Sequence, residues 1–125
     1  MPNKKLVDTI LGLLVVQFIL GMLANLYATL PEQKVYEVFH QLGFITLHAV
    51  NGTLLLVLGI ILLVKSRKTR AFKPATGGLG NMVLAYIFGE LFVFTQRDIY
   101  SLLMALTFIG ALLSYARLAF SNQAR

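Results

Sequence analysis

Four long apolar runs separated by short polar connections dominate this sequence. They extend over residues 6–28, 38–64, 79–96 and 99–120. Each is near or above the roughly 20 residues with which a helix crosses about 30 Å of hydrocarbon. Backbone groups in lipid must find hydrogen-bond partners within the protein, which leaves helices and closed barrels as spanning structures. The strict period-two alternation of a barrel strand is missing. The expected fold is all-α: an integral membrane four-helix bundle forming one transmembrane domain over residues 1–125. Short connections make neighbouring helices antiparallel, so the expected course is up-down-up-down.

Composition agrees. The chain has 125 residues, 58% of them hydrophobic and 13% charged, and its mean hydropathy is +0.77. A soluble domain of this length needs more polar residues to cover its surface. Cysteine is absent, which excludes a disulfide framework and thiolate metal sites. Lys4 and Lys5 ahead of the first run imitate a signal peptide. The run is too long for a typical signal core and no A-x-A pattern follows it, so an uncleaved first span is expected.

The basic residues set the orientation. Lys4, Lys5, Lys65, Arg67, Lys68, Arg70, Lys73, Arg117 and Arg125 fall on one side of the four spans, against Lys34 and Arg97 on the other. By the positive-inside rule both termini are cytoplasmic, in a multi-pass protein of the cell membrane. The same asymmetry accounts for the net charge of +6. No aromatic-plus-basic platform accompanies it, and no nucleic acid partner is expected. Pro31 and Pro74 are placed in loops, where a missing amide donor costs nothing. "TGGLG" (Thr76 to Gly80) lacks the Lys and Ser/Thr of a phosphate-binding loop and reads as a flexible lead into the third span.

Small and polar residues recur at helical spacing: Gln17, Gly21, Asn25 and Ala28 in the first span, and Phe44, His48, Gly52, Leu55 and Gly59 in the second, with Asn51 beside them. Asn81, Ala85 and Gly89 align in the third, as do Thr107, Ala111 and Ser114 in the fourth. Such stripes let membrane helices approach closely and bond across. Ionisable groups at these depths are costly and point to a site or a buried pairing. At about 1.5 Å per residue, Gln17 and Asn51 fall near the midplane. His48 and Glu90 fall about 5 Å toward the outer side, with Met22 slightly beyond. His40 sits at the outer boundary, about 12 Å along the helix from His48. Gln17, Asn51 and Glu90 are thus expected as a polar intramembrane cluster around His48. Asp8, Glu32, Glu37 and Asp98 lie at membrane edges, as solvated charges.

An imidazole in a membrane bundle suits b-type haem, with iron on a histidine and the macrocycle between helices. The expected cofactor is haem b on His48, with Gly52 and Gly59 leaving room for a flat porphyrin. His40 and Met22 are further candidate ligands. "LLVVQFILGMLANLY" followed by "FHQLGFITLHAVNGTLLLVLGIILL" resembles a helix pair of the heme A synthase family, with Gln17, Gly21 and His48 at the matching positions. The sequence also resembles small four-span membrane proteins with an H-x-x-G span, where His40 and Gly43 match. These resemblances cover the first half of the chain. They imply a haem-associated membrane protein, for which electron transfer is the expected role. The second helix pair carries no histidine, unlike the family's half-bundle. Ligation here would therefore be five-coordinate, His/Met, or shared across a homodimer.

Two other functions fit the same residues. One is a proton-coupled small-molecule or ion transporter working as a dimer, with His48 and Glu90 in a relay. The other is a non-catalytic membrane subunit or assembly factor acting through helix packing in a larger complex. Soluble enzyme chemistry is not supported: the chain has no Ser/His/Asp set, no metal-spaced His/Cys cluster and no hydrolase carboxylate pair.

Overall fold

The computed structural model describes residues 4–27 and 43–121. These form four α-helices: α1 (Lys4–Tyr27), α2 (Gly43–Ser66), α3 (Phe72–Thr95) and α4 (Asp98–Ser121). There is no strand among the described residues. All four helices are long and apolar enough to cross a membrane. Leu, Ile, Val, Ala and Phe fill them almost throughout, so outward-facing side chains are as apolar as the core. Val15, Phe18, Leu47, Val57, Leu102 and Leu113 are all exposed. That pattern belongs to a helix solvated by lipid.

The helices close a ring in which α1 packs on α2, α2 on α3, α3 on α4 and α4 on α1, while the backbones of diagonal pairs stay apart. The α3–α4 contact is the most extensive and the α1–α4 contact the least. Phe18 and Phe108 stack across that last seam with centroids 6.2 Å apart. Gly110 of α4 meets Asn81 of α3, and Gly89 of α3 meets Met104 of α4. The pairing therefore descends along α4 as it climbs along α3.

Among the described residues the buried core lies in one half of the bundle. Val7, Ile10 and Leu14 of α1 meet Leu55 and Leu62 of α2, Ala75 and Met82 of α3, and Tyr115 and Leu118 of α4. Tyr115 is the largest fully buried side chain. A Cβ on Gly78 would stand 2.7 Å from its ring, and one on Gly59 would stand 3.1 Å from its hydroxyl. The phenol thus crosses the interior from α4, past α3, to α2, through gaps that only glycine leaves.

The third helix begins seven residues earlier than the sequence suggests. Pro74 and the "TGGLG" stretch are helical, not loop. Pro74 falls in the first turn, where its missing N–H has no carbonyl to lose. Membrane helices tolerate glycine once packing replaces what propensity withholds. The α2–α3 connection is accordingly only Arg67–Ala71. It is wound on the Ser66 carbonyl, which accepts from Thr69 N (2.9 Å) and Thr69 Oγ1 (3.0 Å). Arg67, Lys68 and Arg70 project from it into solvent. At the other end, Gln96 terminates α3 in the left-handed conformation (φ 52°), its N–H donating to Phe92 O at 2.7 Å. Asp98 then opens α4, where a carboxylate favours the helix N-terminus.

Candidate functional site: a polar chain between α1 and α2

Gln17 and His48 face each other across the α1–α2 interface because glycines make room for both. A Cβ on Gly21 would lie 3.1 Å from His48 Cε1, and one on Gly52 would lie 3.1 Å from Gln17 Nε2. Asn51, one turn along α2 from His48, is the buried polar member, 9% exposed. Its Nδ2 donates to the Leu13 carbonyl at 3.0 Å and to Gln17 Oε1 at 2.8 Å. Gln17 Nε2 lies 3.2 Å from His48 Nε2.

The direction of this chain is fixed from one end. The Leu13 carbonyl can only accept, so the Asn51 atom facing it is the amide nitrogen. The second hydrogen of that nitrogen goes to Gln17 Oε1. This turns the Gln17 nitrogen toward the ring as a donor. His48 Nε2 is therefore the acceptor, and in the neutral ring the proton sits on Nδ1. His48 Nδ1 is buried and has no hydrogen-bond partner.

The other expected site residues lie elsewhere. Glu90 is exposed on α3, a helix whose backbone does not approach α1. With α3 starting at Phe72, Glu90 lies about 10 Å from the helix midpoint, the same offset as His48 in α2, so the faces they occupy and not their levels separate them. Met22 is 47% exposed on the outer surface of α1. Gly52, expected to face a porphyrin, faces Gln17. His40 lies outside the described residues. A haem iron on His48 would have to take the Nε2 lone pair from Gln17 or use Nδ1. Among the described residues no group of three or more His, Cys, Asp or Glu could hold a metal ion.

Two buried groups escape the sequence reading. Tyr115 Oη and Ser66 Oγ are both enclosed without a hydrogen-bond partner. The signal for Tyr115 was present as glycines on two other helices, Gly59 and Gly78, whose combined gap matches one aromatic ring.

Four such helices around an internal polar chain fit a small multi-pass membrane protein. Comparison with known protein families, characterised proteins and solved structures finds no match.

Proposed function

We propose that this chain is a non-catalytic membrane subunit or assembly partner. It crosses the cell membrane four times in up-down-up-down order, with both termini in the cytoplasm. One observation carries this reading: Glu90 presents its side chain on the outer surface of α3, among exposed Val83, Tyr86, Ile87 and Val93. An acid on an apolar face inside the span is costly unless another group receives it. A neighbouring polypeptide supplies that group. The polar chain of Asn51, Gln17 and His48 supports the same reading, because its members bond mainly to one another and hold α1 to α2.

A photoreactive amino acid at position 90, irradiated in native membranes, tests this. Adducts of defined mass with another membrane polypeptide are expected. Adducts with lipid alone would overturn the reading. Cysteine labelling at both termini, accessible only from the cytoplasm, tests the orientation.

A second reading is haem b on His48, whose Nε2 lone pair faces only the neutral Gln17 amide at 3.2 Å and would bind iron once that amide turned away. Its test is the absorption spectrum of protein purified from haem-replete cells. A Soret band lost in His48→Ala supports it, and a colourless preparation counts against it.

A further inference from the structure

We infer that the outer face of α2 and α3 at the basic end holds one anionic phospholipid, its acyl chain in a groove between the helices and its phosphate on Lys73. The inference rests on the reading that these helices cross a bilayer. The groove measures about 610 Å³ and is walled by Leu63 of α2 and by Thr76, Gly77, Gly80, Asn81 and Leu84 of α3. Gly80 in its α3 wall leaves the depression open, since a Cβ there would meet nothing within 4 Å.

The polar side chains of the wall donate to their own helix. Thr76 Oγ1 donates to Phe72 O at 2.8 Å, and Asn81 Nδ2 donates to Gly77 O at 2.9 Å. What remains for an occupant is hydrocarbon surface about 12 Å long from Thr76 to Leu84, matched to part of an acyl chain.

The mouth of the groove has the complementary chemistry. Lys73 lies three and four residues before Thr76 and Gly77, so it shares their face one turn below. Its side chain leans toward the helix N-terminus, at the membrane boundary. Lys65, Arg67, Lys68 and Arg70 lie at the same end of the bundle, all exposed, and no acidic residue occurs from position 65 to 73. A headgroup phosphate placed there meets concentrated positive charge while its tail runs up the groove. Basic pockets between helices recruit anionic lipid in this way.

The purified full-length protein, studied by native mass spectrometry with phosphatidylglycerol or phosphatidylcholine added, tests the site. Wild type should retain one phosphatidylglycerol at least about fivefold more than phosphatidylcholine. Lys73→Gln should lower that retention about fivefold, the effect of one basic residue near an anionic surface. Gly80→Leu should fill the groove, lower retention of either lipid about tenfold and leave the melting temperature unchanged or higher. Equal retention of the two lipids by wild type would overturn the inference. So would undiminished phosphatidylglycerol binding in both variants, or displacement of the lipid by millimolar inorganic phosphate. Failure of the bilayer reading looks different: the chain would be released from membranes by alkaline carbonate. A carbonate-resistant chain without lipid preference defeats only the site.

Discussion

Gln17 donates to Nε2 of His48 across 3.2 Å, so the imidazole of α2 is held by an amide of α1 and its proton resides on Nδ1. Because Gln17 also accepts from Asn51 at 2.8 Å, this one side chain completes both ends of the pairing.

Removing Gln17 should therefore be worse than removing the pair. Gln17→Leu strands the His48 nitrogen and one Asn51 hydrogen in an apolar interface, at a cost of about 1–3 kcal/mol. The double variant Gln17→Leu/Asn51→Leu should recover part of that loss, because the Asn51 amide no longer waits for a partner while His48 Nε2 still does. Unfolding in mixed micelles, run as a double-mutant cycle, measures both.

The ring's tautomer is checkable directly. Nitrogen NMR of His48 should show protonation at Nδ1 in the neutral ring. In Gln17→Leu the preference for that tautomer should weaken, since the donor that selects it is gone.

Glycine substitutions should divide by what their Cβ would meet. Gly78→Ala places a methyl 2.7 Å from two ring carbons of Tyr115 and should destabilise by about 1–3 kcal/mol through overpacking. Gly12→Ala meets nothing within 4 Å and should be neutral or stabilising by up to about 1 kcal/mol, from helix propensity. Thermal midpoints of the two variants in one detergent decide this.

Gln96 holds a left-handed backbone (φ 52°) that costs an L-residue about 1–2 kcal/mol. Gln96→Gly should raise the thermal midpoint, and Gln96→Val should lower it, because a β-branched side chain tolerates that conformation least.

Much of the fold was legible in the letters because lipid permits so few solutions. Four long apolar runs dictate four helices almost whatever their internal sequence. The meeting of Gln17 with Asn51 was also legible, since both lie near the middle of helices that the short connections place side by side. The start of α3 was placed too late because Pro74 and the glycines after it were given to a loop. Two further helical turns move the centre of α3 away from Glu90. No depth estimate could reveal that Glu90 faces away from the bundle. Rotation about the helix axis depends on which small residues seat against α4, and Gly78 and Gly89 make that choice through Tyr115 and Met104. Met22 shows the same limit: its place along α1 was readable and the face it occupies was not.

The confinement of the buried core to the end bearing Arg67–Ala71 has a mechanical consequence. The helices resemble tines set in a firm root, with Tyr115 as the wedge that fixes their spacing. Toward the opposite end no buried hydrophobic side chain occurs among the described residues, so small splaying motions there cost less and need not disturb the root. Amide exchange should accordingly start near Gly43 and Thr95 and reach Leu62 and Leu118 last.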